Sequence, residues 1–321
     1  MADNSVLTPQ EVADILKIAK NTVYELIKRG ELNGYRVGNK VRVDAKDVEE
    51  YKNKTKTIKN SSSINEGTGD SPRARKNAIF SDEVSRYNEF VICGQDVMLD
   101  ILSRYLQMHP RGVQALRSYV GSYNGLYSLY NGSVQIATAH LWDGDSGQYN
   151  IPYVRRMLPG IPAVIIHLAC RVQGFYVAKG NPKAIKGWED LKRNDITMIN
   201  REKGSGTRIL LDEHLRRLGI SSEKLKGYKR ESTSHLAIAS TIARGGADLG
   251  IGNEKTSLQV KEIDFIPLQV ERYELVIKKE DQNKPPFEAV MEILRSPEFR
   301  IELEGIGGYD LRETGQIVAE T

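Results

Sequence analysis

Two short turns carry the residue types that could bind an anion: Gly121-Ser122 and Gly204-Ser205-Gly206-Thr207. Each precedes a helical pattern. The first N–H groups of a helix lack internal partners, and the helix dipole makes that end electropositive. Small residues let an anion approach, and hydroxyls add donors. Ser122, Ser205, Gly206 and Thr207 are therefore candidate ligand residues, with Tyr123 beside the first turn. Arg208 would either add charge or pair with Asp212 one helical turn on. His140 follows a strand, where open α/β sheets place ligand loops, and could donate to an anion. Glu254 follows another strand. The plainer role of both serines is helix capping, worth about 1 kcal/mol each. Trp142, Asp143 and Tyr149 would equally suit a larger organic ligand.

A second set of residues, near the N-terminus, suits a polyanion. Lys20, Asn21, Thr22 and Tyr24 open a short amphipathic helix that continues through Lys28 and Arg29. Asn21 and Thr22 could read base edges, while Lys20, Lys28 and Arg29 suit phosphate. Arg36, Lys40 and Arg42 fall on the polar side of the run Tyr35-Arg36-Val37-Gly38-Asn39-Lys40-Val41-Arg42-Val43. That run alternates as a hairpin does, and its cations suit the DNA backbone or minor groove.

These sets need positioning elements. Thr8-Pro9-Gln10-Glu11 predicts a capped helix start, a break follows near Lys17-Ile18-Ala19, and Gly30 should stop the second helix. Asp44 should cap a third helix reaching Tyr51. The Ser/Gly/Asn-rich stretch around residues 60–72 cannot bury enough apolar surface to fold. From Phe90 strands and helices alternate. Expected strands include 90–94, 115–120, 134–139, 164–169, 173–179, 196–200 and 247–252, with return strands in 265–278. Expected helices include 97–106, 125–130, 207–218, 234–242 and 287–294.

Residues 6–51 resemble the excisionase-type winged helix-turn-helix family. The match runs through Leu7-Thr8-Pro9-Gln10-Glu11-Val12-Ala13-Asp14-Ile15-Leu16, then Asn21 to Leu32, then the wing Val37 to Val43. Ala19 departs from the family's frequent capping serine. Residues 88–321 resemble the periplasmic-binding-protein-like domain of some bacterial regulators. The landmarks are Gly121 to Leu126, Ala139 to Asp143, Gly147 to Asn150, Asn200 to Arg208 and Ala247 to Gly252. The resemblance implies an α+β winged helix-turn-helix domain (1–55), a linker (56–87) and a two-lobed α/β binding domain (88–321). Its lobes would be about 88–172 plus 271–321, and 173–270, with ligand in the cleft. It further implies a ligand-responsive transcriptional regulator, homodimeric on a two-part double-stranded operator. The expected effector is an oxyanion, molybdate or tungstate first, and no cofactor is expected.

Composition bounds the rest. The net charge of +4 excludes a basic nucleic-acid coat, although residues 1–60 hold 12 Lys/Arg against 9 Asp/Glu. No apolar run is long enough to span a membrane, and the N-terminus lacks an export pattern, so a cytoplasmic location is expected. Cys93 and Cys170 have no metal-type spacing. Alternatives are a regulator of an organic metabolite, or an accessory protein or enzyme of molybdenum-cofactor assembly. His140, Asp143 and Ser122 invite the last, but Gly204-Ser205-Gly206 lacks nucleophile-elbow spacing, so no catalytic residue is assigned.

Overall fold

The computed structural model describes residues 6–28, 32–38, 40–56 and 90–321. They form two compact units. The expected helix stop at Gly30, the phosphate contact at Arg29, the hairpin residue Asn39, the side chain of Arg36 and the linker lie outside the described residues.

In the first unit a three-stranded sheet, ordered β1-β3-β2, packs beside three helices. These elements are β1 (Val6–Leu7), α1 (Pro9–Leu16), α2 (Lys20–Lys28), β2 (Tyr35–Val37), β3 (Lys40–Asp44) and α3 (Ala45–Lys56). The capping box forms as expected: Thr8 Oγ1 accepts from the Glu11 backbone N–H and the Glu11 carboxylate accepts from Thr8 N–H. Lys17 ends α1 in the left-handed region, φ 54°, which turns the chain into α2. Val12, Ala13, Val23, Leu26, Leu32, Val43 and Val48 make the core. The pairing of Val6–Leu7 with Val43–Asp44 went unread in the sequence, because two residues carry no periodicity.

The second unit begins with β4 (Phe90–Cys93), α4 (Val97–Met108), β5 (Ala115–Ser118), α5 (Ser122–Tyr130), β6 (Ala137–Ala139) and α6 (Ile151–Met157). Then come β7 (Ala163–Ala178), β8 (Met198–Arg201), α7 (Gly206–Leu218), β9 (Glu231–Ser232), α8 (His235–Ala243), β10 (Leu249–Asn253) and α9 (Glu254–Ser257). The last elements are β11 (Ile263–Lys278), α10 (Pro285–Arg295), α11 (Pro297–Ile306) and β12 (Ile317–Glu320). The two strands expected at 164–169 and 173–179 are one strand of 16 residues. Cys170, Arg171 and Val172, expected to separate them, each pair with the antiparallel partner β11. A single sheet, β6-β11-β7-β10-β8-β9 with β12 also on β7, therefore runs through both lobes.

Alternation along the crossing strands splits the core by sheet face. Val164, Ile166 and Leu168 face one cluster with Leu102, Leu275 and Phe299; Ala163, Ile165 and Val276 face another with Leu126 and Leu129. Past the middle of β7, Phe175 and Val177 pack with Leu211 and Leu215, while Tyr176 packs with Ile238 and Ile242. Each lobe is thus a sheet with helices on both faces. The strand ends and helix tips meet in the space between.

Candidate functional site

Two helix tips from different lobes touch. The Tyr123 N–H in α5 donates to the Gly204 carbonyl at 3.0 Å. A Cβ on Gly121 would lie 2.6 Å from Ser205 Cα and 2.7 Å from Gly204 O, so only glycine allows this approach. Gly206 is equally constrained: a Cβ there would sit 2.6 Å from the His140 ring.

The two serines differ in role. Ser205 caps α7, accepting from Arg208 N–H at 3.2 Å and donating to the Glu202 carbonyl at 3.0 Å. Ser122 is the first helical residue of α5. Its Oγ accepts from the His140 N–H at 3.3 Å, and Gly121 supplies no side-chain cap. Both are buried.

Between the tips lies a cavity with room for about 30 Å³. Ser122, His140, Ser205, Gly206 and Thr207 line it, as the sequence suggested. Three other expected ligand residues do not. Tyr123 brings only its backbone, its ring being largely exposed. Arg208 is buried but turned aside: it bonds Asp212 at 3.2 Å and Glu231 at 3.1 Å, with its guanidinium 4.1 Å from the Tyr228 ring centre. Glu254 begins α9 outside the lining, although its neighbour Asn253 belongs to it.

The charged residues of the cavity were missed. Arg171, in the middle of β7, is buried and bonds Asp96 (2.6 Å) and Glu271 (2.6 Å) while covering the Tyr273 ring at 3.9 Å. Arg201, at the end of β8, bonds Glu202 (2.8 Å) and Gln95 (2.6 Å). His140 Nδ1 stands 2.6 Å from the second oxygen of Glu271. Burial would raise the Glu271 carboxyl, but Arg171 and His140 outweigh it and hold it at about 2. His235, the first residue of α8, also lines the cavity. Burial, then the charges of Arg201, Arg171 and His140, push its imidazole well below the usual histidine range. The available signal was a cation inside an apolar strand, at Arg171 and again at Arg201. A buried charge needs partners, so it marks a built site.

This arrangement offers backbone N–H groups at helix tips, hydroxyls and two fixed guanidinium groups to one small guest. An outer chamber of about 390 Å³ adjoins it, sharing Gln95, His235 and Asn253. Elsewhere the lobes meet where Trp142 stacks on His214 (4.5 Å between ring centres), which stacks in turn on Trp188 (3.9 Å). These are the two tryptophans of the chain.

In the first unit, Lys20, Asn21, Thr22, Tyr24 and Lys28 are exposed on α2 while Val23 and Leu26 are buried. Lys40 is exposed on the wing, and Arg42 is half-buried with Nη1 on the Val41 carbonyl. The expected donor face of α2 is thus presented to solvent beside the hairpin.

Residues 103–295 match the PBP superfamily domain, and residues 6–56 match a helix-turn-helix domain. The chain is 42% identical to the uncharacterized protein YvgK of Bacillus subtilis, across the whole of both chains. It is 69% identical over 112 residues to an uncharacterized Clostridium pasteurianum protein from the 5′ region of a ferredoxin 2Fe-2S gene. That stretch is 35% of this chain and 99% of the relative. Among solved structures, it resembles a proposed phosphate ABC transporter substrate-binding protein from Clostridium perfringens with bound phosphate. That likeness has TM-score 0.52 at 17% identity, over 70% of this chain and 99% of that one, and speaks for the fold.

Proposed function

Because the chain belongs to the PBP superfamily and carries a helix-turn-helix domain ahead of its binding fold, we propose that it is a cytoplasmic transcriptional regulator. Its effector is a small oxyanion held between the lobes, with molybdate and tungstate first and sulfate and phosphate as competitors. One observation carries this reading: two helix tips and two buried arginines converge on a cavity of about 30 Å³. Hydroxyls and guanidinium groups on its walls suit one compact ion. Donors at helix tips stabilise an acceptor-only anion without a free counter-charge, and both arginines are already balanced by carboxylates. A fold neighbour at 17% identity carries bound phosphate, which supports an oxyanion as the effector class. The role is binding rather than catalysis.

Regulation follows from closure. An anion that binds only the closed lobes shifts the population toward that state, and the shift alters how paired heads sit on DNA. A single short recognition helix reads few base pairs, so a homodimer on a two-part operator is expected. A second reading, an organic effector, is favoured by the outer chamber with Val97, Tyr119, Leu236 and Tyr309 on its walls.

Calorimetric titration of the full chain with molybdate, tungstate, sulfate, phosphate and a panel of organic anions separates the two. The oxyanion reading expects molybdate or tungstate to bind at least about tenfold tighter than sulfate, a difference of about 1.4 kcal/mol. Saturable heat from an organic anion alone would transfer the assignment to the second reading.

A further inference from the structure

Three residues line both the inner cavity and the outer chamber: Gln95, His235 and Asn253. A residue that lines both spaces stands at their common boundary. Two of the three belong to the second lobe's own elements. His235 begins α8, and Asn253 caps α9, its Oδ1 accepting from Thr256 N–H at 2.9 Å. Gln95 is the one that comes from the first lobe, between β4 and α4.

The chain fixes Gln95 on both sides. Gly94 before it takes φ 147°, and a Cβ there would collide with the Thr138 hydroxyl. Asp96 after it caps α4 through Met98 N–H and bonds Arg171 and Tyr309. The side chain is then held across the cleft. Its Oε1 accepts from Arg201 Nη2 at 2.6 Å, and its Nε2 donates to the Tyr119 carbonyl at 3.1 Å and to Glu202 Oε1 at 3.4 Å. Tyr119 leads into the Gly121-Ser122 tip, and Arg201 and Glu202 lead into the Ser205 tip. One amide therefore ties together the segments that carry the two tips. Being neutral, it takes up a donor of Arg201 without cancelling its charge.

The two spaces differ in what they offer. Hydroxyls and guanidinium groups face the inner cavity, whereas Val97, Tyr119, Leu236 and Tyr309 stand on the walls of the outer chamber. An oxyanion with an organic substituent would set its head in the first and its body in the second. The bond joining head to body would then pass where Gln95 stands.

We propose that Gln95 is the specificity-determining residue of this site: it bars oxyanions that carry an organic substituent and positions Arg201 for bare ones. Discrimination of this kind comes from obstructing the wrong ligand as much as from contacting the right one. The proposal rests on the oxyanion reading above and names the class admitted, inorganic oxyanions, and the class refused, organic phosphonates and phosphate esters.

The test is calorimetric titration of the full chain with molybdate, phosphate and phenylphosphonate, in the wild type, Gln95→Ala and Gln95→Met. Phenylphosphonate keeps a tetrahedral oxyanion head and adds a ring. The wild type should bind the tighter inorganic ion at least about tenfold more strongly than phenylphosphonate. Gln95→Ala joins the two spaces and frees Arg201, so phenylphosphonate should gain about tenfold while the inorganic ion loses a similar factor. Gln95→Met keeps most of the volume and removes the amide, so it should weaken the inorganic ion and still refuse phenylphosphonate. General damage to the site would weaken both ligands together, which the opposite signs in Gln95→Ala would not. Thermal unfolding checks that both variants fold; if Gln95→Ala does not, the wild type and Gln95→Met decide alone. Wild-type binding of phenylphosphonate as tight as that of the inorganic ion, no gain in Gln95→Ala, or an equal gain in Gln95→Met overturns the role of Gln95 and leaves the oxyanion reading standing. No saturable heat with molybdate, tungstate, sulfate or phosphate overturns both.

Discussion

Lys20, Lys28 and Lys40 of the first unit stand in solvent and make no ion pair among the described residues. Arg171 and Arg201 of the second unit are buried, and carboxylates hold each of them. The same charge therefore does different physical work in the two units. An exposed lysine keeps its hydration and rotamer freedom until a polyanion arrives, and its contribution is then counterion release, which salt suppresses. A buried arginine has given up its water on folding, so it acts as a fixed dipole that needs no reorganisation when a small anion enters. Removing the first kind should leave folding alone and weaken binding. Removing the second should strike the fold before any ligand is present.

Arg171→Met is the most severe way to try that comparison. The substitution leaves Asp96 and Glu271 buried without their shared cation, and breaking a buried pair in this way costs about 3–5 kcal/mol. Urea unfolding of the full chain, followed by the emission of Trp142 and Trp188 in the second unit, measures it. A loss below about 1 kcal/mol would mean that Arg171 is not structurally fixed and would break the contrast with the first unit.

Gly121→Ala probes the same cleft with less damage to the fold. Its Cβ would collide with Ser205 Cα and the Gly204 carbonyl, both backbone atoms of the other lobe, so relief has to come from the lobes parting. We expect the anion to bind about 100-fold more weakly, which is about 2.7 kcal/mol, with stability changed far less than in Arg171→Met. The tryptophans supply an independent view, because Trp142 and His214 stack across the lobes and parting them should shift the emission. Unchanged affinity together with unchanged emission would remove the contact between tips from the binding mechanism.

How much of this was legible beforehand also differs between the units. The first unit could be read because its signals are local: Thr8 and Glu11 form a capping box three residues apart, and the wing alternates over a few residues. The helix tips of the second unit were legible for the same reason, since Gly121-Ser122 and Ser205-Gly206 are contiguous. The rest of the cavity was not. Arg171 comes from the middle of a crossing strand, Arg201 and Asn253 from the ends of two other strands and His235 from a helix start, and only the sheet order brings them together. Arg208 shows the converse: its position beside Ser205 suggested the cavity, but at that turn of the helix Asp212, Glu231 and Tyr228 capture it. The long crossing strands were misread for a related reason. Arg171 and Gln173 interrupt the hydrophobic pattern just where the strand passes from one lobe to the other, and their partners lie on β11, about 100 residues away in sequence by the pairing of Arg171 with Glu271.

The smallest effect expected on folding belongs to Lys28→Ala. Lys28 is exposed in the last turn of α2, and surface substitutions of this kind usually change stability by no more than about 0.5 kcal/mol. Its effect should appear instead in how DNA affinity depends on salt. If the Nζ meets one phosphate, the slope of log K against log salt should flatten by about 0.9. Asn21→Ala gives the internal control, since an uncharged side chain on a base edge should lower affinity for the specific operator and leave the slope in place. Fluorescence anisotropy across a salt series, with operator and unrelated duplex, resolves the two patterns. A Lys28→Ala slope identical to wild type would withdraw that residue from the phosphate contact. A flattened slope with an unaltered unfolding midpoint, set beside a large loss of stability in Arg171→Met, would make burial rather than charge the property that separates the two units.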